Sequence, residues 1–416
     1  MTDQTPQKNT EQPAEQPAEQ PAEQPAEHPA EQAAAQGEQP AEAPYITSRP
    51  LTVALLHGGI GNEREISIST GKNVQSELIK NGHTVVMIDT GAPQFIEELR
   101  QSNADLAFIA VHGIGGEDGT MQGLLELMGI PYVGSGVAAS ALGMDKMRSK
   151  ILIEAAGLMT PPAIVITSTD IKAGEKARLA AEQGEKPAPG AAAKDNATKD
   201  TAANQNSTHP LKPDDFDDPF IDAIIKDLGL PCVVKPVKDG SSVGISIPHT
   251  KAELKEALVL AFEVSNETLV EGFIEGVEVS ASIIGNDELE VLPLIEIIPA
   301  NEFYDYESKY SEGGSRHIIP ARLSPELTSA CEEAAAATYE VTGCRGVARV
   351  DIIVDAAGIP WVLEVNTLPG MTSTSLVPET ARAAGISFGE LLDRLFAWAL
   401  EDVPLGAQKT PASPQK

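Results

Sequence analysis

Cysteine is scarce in this chain of 416 residues, which contains only three. Cys232, Cys331 and Cys344 are isolated and show neither the pattern of a disulfide framework nor the spacing of a zinc site. An odd number of isolated cysteines is typical of reduced residues in a cytosolic protein. The sequence therefore predicts a cytoplasmic protein without structural disulfides.

Basic residues are also few, with 30 Lys and Arg against 61 Asp and Glu and a formal net charge of −31. A protein that binds nucleic acid needs clustered positive charge to neutralise phosphates. This balance therefore argues against a nucleic-acid partner.

Long apolar runs are missing too. No run in the sequence approaches the length of a membrane span, and the N-terminus lacks the apolar segment of a secretory signal. Neither a membrane partner nor secretion is therefore expected.

Three segments contain too few large apolar residues to form a core. Residues 1–48 repeat the tetrapeptide Glu-Gln-Pro-Ala, residues 174–213 are rich in Ala, Lys, Asp, Asn and Pro, and residues 404–416 form the C-terminus. The composition predicts disordered tails at both ends. The middle segment is predicted to be an insertion looped out of a folded unit, because long surface insertions cost little closure entropy.

Strand and helix patterns alternate near the start of the remaining sequence. Apolar runs at Leu51–Leu56, Thr84–Ile88 and Leu106–Val111 are separated by helical patterns at Ser67–Asn81 and Pro93–Leu99. This order predicts a parallel sheet with right-handed crossovers and a ligand site at its strand ends.

From about Met144 onward the pattern changes to short strands joined by tight turns around Gly240 and Ala356–Gly358. Such turns favour antiparallel sheets with flanking helices. We therefore expect an α/β substrate domain over 49–143, followed by α+β lobes over 144–248 and 249–403. A deep cleft between these units is the natural active site.

Two glycine-rich loops follow strands of the parallel sheet. Gly58–Glu65 opens the first helix, and glycine after a first strand is common enough that a structural turn is the better explanation for this loop by itself. His112–Thr120 follows the third strand and contains four glycines among nine residues. Beside that loop, His112 is a candidate substrate contact, whereas a lone histidine would be an ordinary turn residue.

Polar residues alternate with valine in Arg349-Val350-Asp351 and again in Glu364-Val365-Asn366. Side chains two residues apart face the same side of a strand, so the four polar groups can converge while the valines enter the core. A hairpin through the turn at 355–358 would place Asp351 opposite Glu364. These oxygen donors suit magnesium, which favours a few carboxylates plus substrate phosphates. A solvated sheet face with ion pairs is the alternative, but the polar loop that follows favours the metal.

Lys235 ends a predicted strand and precedes the turn Gly240–Gly244. This is not a Walker A loop, because the lysine comes before the turn and no helix follows it. Its amides and hydroxyls could close over phosphates as a lid. An ordinary hairpin is the alternative for the loop taken by itself.

Five motifs, in order, together resemble the D-alanine–D-alanine ligase family. The motifs are Gly113–Gly119, Met144-Asp145-Lys146, Gly240–Gly244, Tyr304–Tyr310 and Glu364–Ser375. The resemblance extends from about Leu51 to Leu400 and is broken only by the insertion at about 174–213. It implies the ATP-grasp fold, with an N-terminal Rossmann-like parallel-sheet domain and two further lobes enclosing the nucleotide.

The resemblance also implies roles for matching positions around the nucleotide. The positions that match ATP contacts are Lys146, Lys235, Ser242, Glu271, Phe273, Ile274 and Glu278. By the resemblance, the two lysines hold phosphates, the segment 271–274 reads adenine, and Glu278 binds the ribose. Asp351, Glu364 and Asn366 match the magnesium ligands, in agreement with the strand pattern.

A second set of matching positions surrounds the amino-acid substrates. They are Glu63, His112, Ser241, Lys309, Tyr310, Arg349, Gly370, Ser375 and Leu376. Glu63 matches a residue that, with Ser241 and Tyr310, orients the first D-alanine and latches the lid, while His112 and Lys309 match substrate contacts. Arg349 and the Gly370 amide match the groups that stabilise the tetrahedral intermediate, and residues 375–376 match the second substrate's site.

The resemblance implies ATP-dependent ligation of two D-alanine molecules through a D-alanyl phosphate, for peptidoglycan and cell-wall synthesis. It further implies two magnesium ions, for which manganese can substitute, and a homodimer. Two alternatives stay open: a related ligase that makes D-alanyl-D-lactate or D-alanyl-D-serine, and a non-catalytic nucleotide-binding protein. The presence of Tyr310 argues against the lactate-making relatives, and the presence of Asp351, Glu364 and Arg349 argues against the non-catalytic protein.

Overall fold

The computed structural model describes residues 49–61, 63–171, 211–238, 244–299 and 314–401. The predicted tails, and the predicted insertion up to residue 210, lie outside the described residues. Leu211 packs against a buried apolar cluster, and a short 3-10 helix spans Pro213–Asp215. The last residues of the segment that was expected to be an insertion, from Leu211 onward, therefore belong to the folded part of the chain.

The first sheet is parallel, with the strand order β2-β1-β3. Its strands are β1 (Thr52–His57), β2 (Thr84–Asp89) and β3 (Leu106–Ile109). The helices of this region are α1 (Arg64–Lys80), α2 (Phe95–Gln101), α3 (Thr120–Met128) and α4 (Val137–Met144). The parallel sheet predicted from the alternation of strands and helices is confirmed.

The middle sheet is antiparallel, with the strand order β4-β6-β5. Its strands are β4 (Ala163–Thr167), β5 (Cys232–Pro236) and β6 (Glu267–Gly272). The associated helices are α5 (Lys146–Ala155), α6 (Asp218–Leu228) and α7 (Lys251–Val264). Strand β6 belongs to this sheet although it lies beyond the expected boundary at 248/249. The domain bounds drawn from the sequence stay a prediction.

The third sheet is antiparallel and has the strand order β10-β9-β7-β11-β12, with β8 paired to β7. Its strands are β7 (Gly276–Gly285), β8 (Glu290–Val291), β9 (Ile295–Pro299), β10 (Ser315–Ile318), β11 (Gly346–Asp355) and β12 (Pro360–Asn366). The helices that follow or flank it are α8 (Pro325–Thr342), α9 (Leu376–Ala383) and α10 (Phe388–Glu401).

The turn between β11 and β12 is closed by the carboxylate of Asp355, which accepts hydrogen bonds from the backbone N–H groups of Ala357 and Ile359, both at 2.9 Å. The hairpin predicted from the sequence is therefore confirmed. Its register places Asp351 directly opposite Glu364, as predicted.

The C-terminal helix α10 returns to the first sheet. Phe396 is fully buried in one cluster with Leu55 of β1 and Phe108 of β3. Leu368, just after β12, packs in a neighbouring cluster with Tyr132. These contacts place the loops at the strand ends of the first sheet beside the segment that follows β12.

All three cysteines are free. Burial raises the pKa of the Cys232 and Cys331 thiols to about 11, so both are protonated and unreactive at neutral pH. Among the described residues, no helix is long and apolar enough to cross a bilayer.

Candidate active site

A cavity of about 460 Å³, here called the nucleotide cavity, is walled by the middle sheet and the six-stranded sheet. Apolar side chains supply much of its wall, and charged groups gather at one part of it. Seven residues predicted from the sequence to contact ATP or metal line this cavity. They are Lys235, Glu271, Phe273, Ile274, Glu278, Asp351 and Glu364.

Glu271, in β6, is 2% exposed and lies between two lysines. The Lys150 Nζ is 2.8 Å from one carboxylate oxygen, and the Lys235 Nζ is 2.7 Å from the other. Burial disfavours the charged carboxylate, but the attraction of the two ammonium groups outweighs burial and lowers the pKa of Glu271. The same attraction outweighs burial at Lys235 and raises its pKa. Glu271 is therefore a fixed carboxylate in the cavity wall.

Lys150 was not predicted from the sequence. It is buried, and its ammonium also donates to the Thr160 hydroxyl at 2.7 Å and to the Pro161 carbonyl at 3.1 Å. Burial lowers the pKa of Lys150, although Glu271 opposes the shift. The spacing could have indicated it, because Lys150 follows Lys146 by four residues and so lies on the same face of α5.

Asp351 is held in place from two directions. Arg349 donates to both of its oxygens, at 2.9 and 2.8 Å, and the Ser280 hydroxyl donates at 2.7 Å. The intervening Val350 is fully buried, as the strand alternation predicts. Ser280 was missed from the sequence because it lies on β7, 71 residues away from Asp351.

A small cavity of about 30 Å³ adjoins Lys146, Glu364 and Asn366. The Lys146 Nζ lies 3.9 Å from a Glu364 oxygen, and the Asn366 amide oxygen accepts the N–H of Leu368 at 3.0 Å. The phosphate-binding and metal-binding positions predicted from the sequence are thus neighbours here.

The donor set formed by Asp351, Glu364 and Asn366 fits magnesium. Two carboxylates and an amide provide oxygen ligands, and magnesium commonly completes its shell with phosphate and water. No group of three or more His, Cys, Asp or Glu residues capable of holding a metal occurs in the part of the chain that the structure describes.

A second cavity of about 380 Å³, here called the amino-acid cavity, lies between α1 and the segment 369–377. Four predicted residues line it: Arg349, Gly370, Ser375 and Leu376. Its opposite wall contains Glu65, Ser69 and Asn73, which the sequence did not single out. Their spacing of four residues, which puts them on one helix face, was the available signal.

Glu63 and His112 bring the two glycine-rich loops together. The Glu63 carboxylate is buried against Gly113, where a Cβ would come within 2.2 Å of its Oε2. The His112 ring lies 3.0 Å from the Thr70 hydroxyl and 3.1 Å from a Glu117 oxygen. Both predicted substrate contacts are therefore fixed at the strand ends of the first sheet.

Four predicted site residues lie outside the described residues: Ser241, Ser242, Lys309 and Tyr310. Their roles stay predictions.

A parallel-sheet domain followed by two antiparallel sheets that wall a nucleotide-sized cavity is the architecture of the ATP-grasp ligases. Two family models match the chain. The D-ala D-ala ligase N-terminus model matches residues 93–135, and the D-ala D-ala ligase C-terminus model matches residues 204–397.

Relatives named D-alanine–D-alanine ligase match along most of the chain. The protein from Pelotomaculum thermopropionicum is 42% identical over 85% of this chain and 98% of its own length, and that from Carboxydothermus hydrogenoformans is 41% identical over 84% and 99%. The chain therefore belongs to the D-alanine–D-alanine ligase family, and it is an ATP-dependent ligase.

Solved structures agree with this assignment. The D-alanine–D-alanine ligase of Bacillus anthracis superposes with a TM-score of 0.65 at 34% identity and covers 84% of this chain and 98% of its own. The VanG D-Ala:D-Ser ligase of Enterococcus faecalis gives 0.61 at 29% identity, with 84% and 100% covered.

Proposed function

We propose that the chain joins two D-alanine molecules into D-alanyl-D-alanine for peptidoglycan synthesis, and that the reacting groups meet at the pair Arg349 and Asp351. One observation carries this proposal: Arg349 lines the amino-acid cavity, while Asp351, which it contacts at 2.8 and 2.9 Å, lines the nucleotide cavity. A phosphate transferred from the nucleotide would reach the amino acid at this junction.

The nucleotide occupies the larger cavity in this proposal. Glu271 accepts a hydrogen bond from the adenine amino group, beside Phe273 and Ile274, and Glu278 binds the ribose. Lys146 and Lys235 neutralise phosphate charge. Support comes from the cavity that Lys235 shares with the four positions predicted to bind adenine and ribose, and from the buried position of both lysines, each 7% exposed.

Asp351, Glu364 and Asn366 would hold two magnesium ions, for which manganese can substitute. When bound, these ions neutralise the developing charge on the phosphates. Arg349 and Ser280 hold Asp351 in a fixed orientation, and Asp351 and Glu364 both line the cavity that the phosphates would enter.

The first D-alanine lies beside Glu63 and His112. Its carboxylate oxygen attacks the γ-phosphorus, the bond from that phosphorus to the β,γ-bridging oxygen breaks, and ADP leaves. The product is an acyl phosphate, whose carbonyl is a far better electrophile than a carboxylate. The buried positions of Glu63 and His112, 6% and 7% exposed, support a site from which water is excluded.

The second D-alanine lies at Ser375 and Leu376. After its ammonium loses a proton, the amine attacks the acyl carbonyl, and the negative oxygen of the tetrahedral intermediate accepts hydrogen bonds from Arg349 and the Gly370 N–H. Collapse of the intermediate expels phosphate, the departing phosphate takes the proton that the attacking nitrogen loses, and the amide remains. Arg349, Gly370, Ser375 and Leu376 all line the same cavity, which supports this step.

Three further statements belong to this proposal. The protein works in the cytoplasm, where ATP is available and thiols stay reduced. It forms a homodimer, which light scattering on the purified chain would test. Its substrate domain and two ATP-grasp lobes span 49–143, 144–248 and 249–403, with the predicted insertion in the second.

A phosphate-release assay with ATP, magnesium and a panel of amino acids tests the function. We expect ADP and phosphate only when ATP, magnesium and D-alanine are all present, with almost no turnover of L-alanine. D-serine and D-lactate, offered with D-alanine, separate this ligase from its relatives through product masses. Equal turnover of D-alanine and L-alanine would overturn the assignment.

A further inference from the structure

His317 and Glu379 form a contact that the proposed mechanism does not use. The His317 Nδ1 lies 2.7 Å from the Glu379 Oε2, although the two residues are 62 positions apart. Their side chains are 17% and 29% exposed, so solvent screens this pair less than a pair on the open surface. His317 lies on β10, and Glu379 lies in the first half of α9.

Both ring nitrogens of His317 have partners. The carboxylate of Glu379 can only accept when ionised, so Nδ1 carries a proton and donates to it. The other nitrogen, Nε2, lies 3.0 Å from the Ser315 hydroxyl, which projects from the same face of β10. The ring is therefore held at two points and has a fixed orientation.

Glu379 connects this contact to the amino-acid cavity. Its backbone N–H donates to the Ser375 carbonyl at 3.1 Å and closes the first turn of α9. The Ser375 hydroxyl in turn accepts the Thr372 N–H at 3.0 Å and lies 2.8 Å from the Thr372 hydroxyl. A rotation of α9 at Glu379 would therefore move Ser375 and the loop that leads back to Gly370.

Near its first turn, α9 packs on the sheet through apolar side chains. Leu376 is buried with Ile295 and Ile297 of β9, and Ile319 packs against this small cluster. Apolar contacts of this kind hold the helix on the sheet but restrict its rotation only weakly. Directional restraint comes from the Thr380 hydroxyl, which donates to the Ser282 hydroxyl of β7 at 3.0 Å, and from the His317–Glu379 contact, which holds the helix on the side of β10.

We infer that His317 and Glu379 are positioning residues that set the second amino-acid site by fixing the start of α9. This inference rests on the proposed function, because Ser375 and Leu376 hold the second D-alanine there. Neither residue lines the nucleotide cavity, so loss of the pair should act on the second half-reaction, through Ser375, Leu376 and the loop that leads back to Gly370.

The test compares His317→Ala, Glu379→Ala and the double variant in steady-state kinetics. Each single variant is expected to raise the KM for the second D-alanine by about tenfold, equivalent to about 1.4 kcal/mol. The double variant should be no worse than either single one, because both remove the same contact. Glu379→Gln can still accept a hydrogen bond from the Nδ1–H group, so it should keep most of the affinity that Glu379→Ala loses.

Two measurements separate positioning from general damage to the fold. The first half-reaction, followed by trapping the acyl phosphate with hydroxylamine, should keep its KM for D-alanine and for ATP. Arg382→Ala, an exposed change on the same helix, should leave every constant unchanged. Additive losses, or equal increases in all three KM values, would overturn the inference. A wild-type chain without ligase activity would instead refute the proposed function.

Discussion

Asp351 and Glu364 face each other across two adjacent antiparallel strands, β11 and β12, and both line the nucleotide cavity. Two carboxylates side by side repel each other unless a cation lies between or beside them. Arg349 compensates Asp351 directly, whereas Lys146 stands 3.9 Å from Glu364. Both carboxylates therefore face the cavity in which a cation bound with the nucleotide would offset their charge.

Replacing Glu364 with Gln should abolish turnover while leaving the fold intact. The neutral amide cannot balance magnesium charge, and loss of one group that stabilises a charged transition state costs at least about a hundredfold in rate. The loss of turnover in Asp351→Asn should be large, but smaller than in Glu364→Gln. Phosphate release at ordinary magnesium concentrations measures both.

Glu340→Gln is the matched control, because Glu340 is an exposed glutamate on α8. It should retain full activity. Near-normal turnover of Glu364→Gln would mean that the two carboxylates form only a solvated sheet face.

Replacing Glu271 with Gln should destabilise the protein by about 3–5 kcal/mol, because it leaves two buried ammonium groups without their carboxylate. This loss of stability should depend on pH. The pKa of Glu271 lies below its ordinary value of 4.5 in the folded protein, so its contribution is complete above about pH 4.5 and is lost as the pH falls further. Urea unfolding of both proteins between pH 3 and 7 measures the difference.

The difference in unfolding free energy between wild type and Glu271→Gln should therefore shrink on the acid side. Other carboxylates, such as Glu296, whose pKa Arg322 also lowers, contribute equally to the unfolding free energy of both proteins. Their contributions cancel when the value for the variant is subtracted from that for the wild type. A difference that stays constant down to pH 3 would contradict the assigned pKa direction.

Replacing Gly113 with Ala should weaken binding of the first D-alanine. The new Cβ would come within 2.2 Å of the Glu63 carboxylate, at a φ of +71° that disfavours alanine, so Glu63 would have to move. We expect the KM for the first D-alanine to rise by about tenfold, which corresponds to about 1.4 kcal/mol. Acyl-phosphate trapping with hydroxylamine measures this constant.

Gly115→Ala provides the control in the same loop. Gly115 has a φ of +90°, but a Cβ there would meet no atom within 4 Å. Both variants carry backbone strain of about 1–3 kcal/mol, and only Gly113→Ala also displaces Glu63. Equal KM changes in the two variants would show that strain, rather than Glu63, is responsible.

Replacing residues 174–210 with a short Gly/Ser linker should leave catalysis and folding unchanged. The replaced residues have few large apolar side chains, whereas Leu211 and Phe216, which the linker variant retains, pack in the middle lobe. Soluble yield, thermal unfolding and phosphate release measure the outcome.

Phe216→Ala is the contrasting variant and should lower the free energy of unfolding by about 3–5 kcal/mol, since Phe216 is 2% exposed. Loss of folded linker variant would show that the replaced segment is structural.

The sequence was most informative where a pattern of residues lay within one strand or one hairpin. Alternation in Arg349-Val350-Asp351 puts the polar groups on one strand face and the valine in the core, and a turn only a few residues away sets the hairpin register. These relations are local, so they follow from backbone geometry before any lobe packs against another. The parallel sheet followed from the alternation of elements in the same way.

Only the tertiary structure decided which distant residues complete the site. Lys150 contacts Glu271, 121 positions further along the sequence, Ser280 contacts Asp351, and His317 contacts Glu379. Each of these contacts depends on how one sheet or helix is placed against another. The spacing of Lys146 and Lys150 puts both lysines on one helix face, but it does not identify Glu271 as the partner. In the sequence alone, a polar side chain could face solvent, cap a helix or pair with another side chain. Burial beside an opposite charge, which exists only after packing, selects among these roles.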